Sequence, residues 1–477
     1  FSSRRRHTRY ISVTGVQTCA LPICVIFKTF TQTSANSHTS VRQSCLTKGV
    51  RLLPNLNPTR KRILLSTWGL FAGLSLLLIT AGVFSTLVGI RAELKHLPTI
   101  LSGGITTAYY AGFLLGSWYT LRALAQVGHI RVYAALASLL SASVLVSGVY
   151  DSPIIWIIMR SSTGFCYAGL YVVAESWLNG LATNTFRGRL LAVYNVVTVG
   201  AYGAGQLLVF NFDARNLTGF AFAAMVASLA VIPVAMSEQA ATPNVDNHEH
   251  ITLRELARVV PTGVGTILLV GLAHGGMLGM AVIYATREGL SVGRIGVLVA
   301  AVQLGGMALT WPISSASDDL DRRIIGLLIA IGAIVMGVAM LYQSASSNWT
   351  IVLLFIIGGF SFPLYAVAGA YTNDWVSPEQ MGAAASQLVT LYGFGAMIGP
   401  LVAAPFLDVL GTDGYAWSII SFHALVLLFL VYRIRAWHAP LTTKNWDDVS
   451  FHGRAFFVPA TIVSLGVNRR AKPKNLN

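Results

Sequence analysis

Residues 154–177 read IIWIIMRSSTGFCYAGLYVVAESW, and Arg160 is the single charge between Ile154 and Ala174. A helix needs about 20 apolar residues to cross ~30 Å of hydrocarbon. In lipid the backbone must bond internally, so a run of this kind reads as a membrane-crossing helix. Arg160 stands about six residues inside it, ~9 Å deep at ~1.5 Å per residue. An arginine at that depth is expensive and is a functional candidate by default. The alternative is a guanidinium tied to backbone carbonyls of an adjacent helix. Gly164, one turn further along the same face, leaves room for a neighbouring helix to approach.

The same reading extends outward from this run. Apolar stretches recur near 63–90, 98–121, 132–150, 154–177, 189–211, 219–236, 260–286, 293–313, 324–343, 349–371, 383–407 and 415–435. Of the 477 residues, 54% are hydrophobic and 11% charged. An average soluble domain has about 25% charged residues. Too few polar side chains remain to cover a soluble globule, and apolar surface is too abundant for disorder. Short connectors such as Asp151-Ser152-Pro153 force neighbouring helices antiparallel. The longest internal break, polar residues 237–259, divides six runs from six. Within it, 251–260 is expected to form a short surface helix capped by Thr252. The expected fold is an all-α membrane protein with twelve transmembrane helices in two six-helix bundles. Its expected parts are a flank at 1–62, bundles at 63–236 and 260–436, a cytoplasmic linker at 237–259 and a cytoplasmic tail at 437–477.

The two halves repeat in hydropathy and length rather than in residue identity. Gly188 and Gly382 open comparable runs, an offset of 194, and at that offset Gly205 falls on Gly399. Parallel-repeat halves about an axis along the membrane normal are a transporter architecture. Orientation follows Lys and Arg in short loops. One side carries 15 of them, among them Arg122, Arg131, Arg187 and Arg322, and the other carries 5. This predicts cytoplasmic termini. The formal charge of +15 first suggests nucleic acid. Residues 63–436 hold 16 basic and 16 acidic side chains, however, so the excess belongs to the ends and no nucleic-acid partner is expected. Residues 1–23, FSSRRRHTRYISVTGVQTCALPI, resemble translated sequencing-adapter sequence, and the competing reading is a basic targeting segment.

Polar residues inside the runs are Asn195, Gln206, His274, Gln303, Gln387 and His423. Each either touches a solute in a central cavity or serves as interhelical hydrogen-bond glue. His274 ranks first among them, because Gly275 and Gly276 leave space beside it and histidine takes up a proton near neutral pH. The four cysteines show no disulfide or metal-ligand spacing. No phosphate-binding glycine loop with a lysine and no paired-histidine motif is present. No enzymatic activity, cofactor or metal is expected.

Twelve runs, the six-plus-six repeat and Arg160-x-x-x-Gly164 resemble the major facilitator superfamily. The stretches Gly164–Asn179, Arg187-Gly-Arg189, Val127–Arg131 and Trp311-Pro-Ile313 leading to Asp318 and Asp321-Arg-Arg323 resemble its YcaD-like branch. The resemblance implies charged cytoplasmic loops that latch the halves. In the second half Asp318, Arg322 and Arg323 match that pattern, with Asp319 where an arginine is usual. In the first half Gly116, Gly128 and Arg131 are present and the acidic residue is missing. Glu175, Arg187 and Arg189 are candidates for the replacement pairs. Asp374, which mirrors Glu175, is a candidate gate or proton site. The antiporter-type Gly-x-x-x-Gly-Pro pattern is absent from the fifth run and appears instead at Gly395–Pro400. The implied function is a secondary active transporter of a small solute in the bacterial cytoplasmic membrane, monomeric and with protons as the coupling ion. Arg160, His274, Gln206, Gln303, Gln387 and Asn195 are its candidate substrate and proton pathway. The alternative is a membrane sensor that keeps the fold without net transport.

Overall fold

The computed structural model describes residues 58–181, 187–237, 251–377 and 380–436, and every regular element among them is helical. The first half contains α1 (Pro58–Leu94), α2 (Thr99–Val127), α3 (His129–Val149), α4 (Pro153–Leu181), α5 (Arg187–Leu208), α6 (Thr218–Leu229) and α7 (Val231–Ala235). After the short α8 (Leu253–Val259) come α9 (Pro261–Arg287), α10 (Val292–Asp319), α11 (Arg322–Leu341), α12 (Asn348–Ser361), α13 (Pro363–Asn373), α14 (Met381–Val409) and α15 (Asp413–Ala436). The expected flank up to residue 57, the tail from 437 and residues 238–250 of the linker lie outside the described residues. The first helix starts at Pro58, five residues before the expected run.

Two of the expected spans are broken helices. Pro233 has no N–H to give and its ring crowds the carbonyl four residues back. The sixth span accordingly divides into α6 and α7 at Ala230. Pro363 does the same to the tenth span, which divides into α12 and α13 at Phe362. Taken as continuous spans, eleven helices among the described residues are long and apolar enough to cross a membrane. The twelfth is α2. Its 29 residues are long enough, but it is more polar because it turns Ser102, Thr106, Tyr109, Tyr110 and Ser117 toward an internal cavity. One residue separates α2 from α3: Gly128 takes φ +84°, a backbone region where an L side chain is strained.

Glycines set the closest helix contacts, and these contacts carry the repeat. Gly112 and Gly164 bring α2 and α4 together at the Ser161 and Tyr109 carbonyls, and Gly305 and Gly358 bring α10 and α12 together at those of Phe355 and Val302. Gly164 and Gly358 are 194 positions apart, as are Gly205 and Gly399. Gly205 packs on the backbone at Ile79, and Gly399 on the backbone at Leu272 and Gly275. Without a hydrophobic drive between helices in lipid, such small-residue seams let dispersion and packing do the work. Between the halves α14 packs on α2 and α10 on α5. Thr107 donates to the Met397 carbonyl at 2.7 Å across the first of these seams, and Gly296 meets the Gln206 carbonyl across the second.

The expected linker helix is present as α8. Thr252 caps it, with its backbone N–H donating to Glu255 Oε2 at 2.8 Å and its hydroxyl accepting from the Glu255 N–H at 3.3 Å.

Candidate functional site

A central cavity lies between the halves, with about 1320 Å³ of empty space, its open side included. Helices α1, α2, α4 and α5 line it from the first half, and α9, α10 and α14 from the second. Arg160 of α4 points into it and is 9% exposed. The guanidinium carbon lies 5.3 Å from the ring centre of Phe84 and 5.3 Å from that of Tyr109. Its Nε is fully buried with no hydrogen-bond partner. No carboxylate among the described residues pairs with it, and no acidic residue lines the cavity. The alternative of backbone tethering is not what the structure shows for this arginine. Ring faces attract the cation electrostatically and leave its N–H groups to another partner.

The wall around Arg160 is aromatic. Tyr109, Tyr110, Tyr167, Tyr202 and Tyr392 all line the cavity. Tyr109 meets Tyr110 edge to face at 5.4 Å and Tyr167 at 6.4 Å. The hydroxyls of Tyr202 and Ser85 lie 3.0 Å apart, and Tyr167 donates to the Leu77 carbonyl at 3.0 Å. Sequence reasoning missed this cluster, because a tyrosine inside an apolar run counts as apolar until its hydroxyl is given a neighbour. The signal was the doublet Tyr109-Tyr110 in mid-span, with Tyr167 and Tyr171 one turn apart in the next helix but one.

The polar candidates sort into two groups. Gln303 lines the cavity together with Arg160. The remainder are absent from its wall. His274 is fully buried behind it, its Nδ1 3.1 Å from the hydroxyl of Tyr392 and its ring tilted against Phe362 at 4.7 Å between centres. His423 is held by Ser361 at 2.9 Å and by the Ile419 carbonyl at 2.8 Å. Gln206 is fully buried at the α5–α10 seam, and Asn195 is buried on α5. Gln387 donates to the Ile251 carbonyl at 3.4 Å, joining α14 to the segment before α8.

The charged candidates cluster at the end of the bundle where α10 stops and α11 starts. Arg322 donates to Asp374 at 2.8 Å, to Asp318 at 3.1 Å and to Ser317 at 3.1 Å. All of these partners belong to the second half. Arg323 pairs with Asp321 at 2.8 Å. Glu175 is buried near the same end and accepts from the Tyr194 hydroxyl at 3.5 Å. Arg187 and Arg189 begin α5, but their side chains lie outside the described residues. At the opposite end Arg287 of α9 pairs with Glu93 of α1 at 2.9 Å, a crossing between halves that loop counting had treated as an ordinary charge.

The model of the Major Facilitator Superfamily matches residues 263–468. An uncharacterised MFS-type transporter, YcaD, of Escherichia fergusonii is 28% identical over 371 residues, covering 77% of this chain and 95% of its own. Its counterpart in Escherichia coli O6:K15:H31 is 26% identical over 374 residues, covering 78% of this chain and 96% of its own. Among solved structures, a bacterial homolog of the human lysosomal transporter Spinster, inward-facing and occupied, superposes with a TM-score of 0.64. It is 14% identical and covers 81% of this chain and 100% of its own. The nucleoside transporter NupG superposes with a TM-score of 0.61 at 12% identity, covering 77% of this chain and 98% of its own. At such identities the solved structures speak for the fold alone. With the helical architecture, these matches make the chain a multi-pass membrane protein similar to MFS-type transporters.

Proposed function

We propose that the chain is a monomeric secondary active transporter that moves a small solute across the bacterial cytoplasmic membrane by alternating access, coupled to protons. The observation that carries this reading is Arg160, a buried guanidinium without an acidic partner in a cavity walled by both halves. It receives an anionic group of the solute. With both termini in the cytoplasm, the Glu93–Arg287 end faces outward and the Asp318–Arg322 end faces inward. Bundles at 63–236 and 260–436 then rock about the cavity, joined by the cytoplasmic segment 237–259.

Proton coupling needs a group that titrates. His274 supplies one, a single hydrogen bond from Tyr392 and hence from the cavity. Glu175 and Asp374, near the inward end, are further candidates. Reconstitution into vesicles tests the reading, with solute accumulation followed under an imposed proton gradient for wild type, Arg160→Gln and His274→Gln. Accumulation that needs the gradient and is lost in Arg160→Gln supports it. Binding of a solute with no gradient-dependent accumulation favours the membrane sensor. Unchanged transport in Arg160→Gln removes that residue from the mechanism.

A further inference from the structure

The cavity restricts the chemistry of its solute more tightly than the fold does. It contains one cation and no anion. A cationic solute would meet Arg160 with like charge and nothing to offset it. A fully neutral solute would leave the buried guanidinium unpaired. A dianion would find one partner for two charges in a site where burying an unpaired charge is costly. One negative charge is the match.

The walls set the rest. The guanidinium lies against the rings of Phe84 and Tyr109, at 5.3 Å from each centre. A guanidinium carries paired N–H groups along its planar edge, which fit a carboxylate bidentately. Around it stand Tyr109, Tyr110, Tyr167 and Tyr202 of the first half, and the second half contributes Tyr392 and aliphatic side chains such as Val282, Ile283 and Val299. Gln303 is the one amide side chain in the wall, and the Ser85 and Tyr202 hydroxyls already face each other at 3.0 Å. A flat ring finds aromatic neighbours in offset and edge-to-face reach.

We infer that the solute is an organic monoanion with a flat aromatic body, its carboxylate on Arg160 and its ring among the cavity tyrosines. This deepens the transport reading and rests on it for the claim that the ligand is carried across.

The test is calorimetric binding to the full chain in lipid nanodiscs with a set of matched probes. The probes are 2-naphthoate, its saturated analogue decahydro-2-naphthoate, the neutral 2-naphthamide, the cationic 2-naphthylmethylammonium and the dianionic 2-naphthyl phosphate. Naphthoate is expected to bind tightest. The saturated acid should bind about three- to tenfold more weakly for loss of ring–ring contact, and the ammonium should show no binding. Arg160→Gln should reduce naphthoate to the level of naphthamide, with the variant's thermal melt showing that it is folded. The inference is overturned if the ammonium or the saturated acid binds as well as naphthoate, or if the phosphate binds better. It is equally overturned if wild type binds no naphthoate, or if Arg160→Gln binds naphthoate undiminished. Should Arg160→Gln fail to fold, Arg160→Lys replaces it, with weakened naphthoate binding expected because an ammonium lacks the bidentate fork.

Vesicle uptake separates the two claims. Naphthoate that binds but never accumulates under a proton gradient sinks the transport reading and leaves the ligand class standing. Gradient-driven, Arg160-dependent accumulation of a solute of another class, with which naphthoate does not compete, sinks the ligand class and leaves transport standing.

Discussion

The Arg287 guanidinium donates from Nε to Glu93 Oε1 at 2.9 Å, and this pair ties the first half to the second. The same side chain donates to Thr99 Oγ1 at 2.6 Å and to the Leu407 carbonyl at 3.2 Å, and lies 3.7 Å from Asp408. Thr99 in turn donates to Asp408. Four helices, α1, α2, α9 and α14, therefore meet on one guanidinium at the end of the cavity. Both members of the pair are largely buried, at 23% and 16% exposure, so bulk solvent screens them weakly. Glu93→Gln is expected to favour conformations in which this end is open. A Ser102→Cys reporter in the cavity wall should then label faster with a membrane-impermeant thiol reagent, about tenfold for each ~1.4 kcal/mol by which the balance moves. Asp408→Asn shares the same guanidinium, so its effect should be non-additive with that of Glu93→Gln. Additive effects, or unchanged labelling in Glu93→Gln, would show that this cluster does not hold the end closed.

That pair also marks the limit of what the chain discloses on its own. Transmembrane helices are legible because lipid demands long apolar runs, and Arg160 is legible because a charge in such a run is costly. Arg287 and Glu93 sit at helix ends, where charges are ordinary, and nothing local says that two ends 194 positions apart will meet. The cavity tyrosines were hidden by their double character, apolar ring and polar tip. Asn195, Gln206 and Gln387 went the other way: they are polar within apolar runs, yet the structure leaves them out of the cavity wall. The breaks at Pro233 and Pro363 were readable from proline chemistry, but the runs around them were apolar enough to pass for single helices. The offset of 194 was faint in residue identity and becomes concrete in which glycines touch which backbones.

Those contacts separate glycines that look alike in sequence. A Cβ at Gly164 would collide with the Tyr109 carbonyl and lie 3.0 Å from the Phe113 nitrogen, both of them backbone atoms that cannot swing away. At Gly200 and Gly203 a Cβ would meet nothing within 4 Å. Gly164→Ala should therefore destabilise by at least ~1–3 kcal/mol, the usual range for overpacking. Gly200→Ala should be neutral or stabilising by up to ~1 kcal/mol, since alanine is the better helix former. Thermal melts of the purified variants in detergent check both. A Gly164→Ala protein as stable as wild type would mean that α2 and α4 are not packed as closely as described.

Arg322 makes a different kind of contact from Arg287. Its bonds to Ser317, Asp318 and Asp374 join α10, α11 and the end of α13, all within the second half. Its expected role is to brace that half. Asp318 and Asp374 are 50% and 42% exposed, so each pair is worth no more than ~1 kcal/mol after screening. Arg322→Lys should lose most of the bracing, because one compact ammonium nitrogen does not reproduce the guanidinium's planar fork, which reaches Asp374 from Nε and Ser317 and Asp318 from a terminal nitrogen. The expected outcome is a modest drop in melting temperature that shrinks at high salt, with labelling of Ser102→Cys unchanged. Faster labelling in Arg322→Lys would instead make this cluster a latch between the halves.

Outside the membrane, the α8 cap gives a pH signature with a definite sign. The Thr252 backbone N–H, followed by its hydroxyl, holds the Glu255 carboxyl below its ordinary value of 4.5. A carboxyl depressed in the folded state stabilises that state above its unfolded value, and the contribution is lost as the pH falls through the lowered value. The α8 amides should thus keep their exchange protection down to the ordinary glutamate range and lose it progressively below. Thr252→Ala removes the hydroxyl that accepts from the Glu255 N–H and one of the two donors to its carboxylate. Exchange protection of Leu256 and Ala257, taken as the ratio of wild type to Thr252→Ala to cancel the intrinsic pH dependence, should fall toward one with increasing acidity. A ratio that stays constant from neutral pH to below the glutamate range would mean that the capping box does not hold α8.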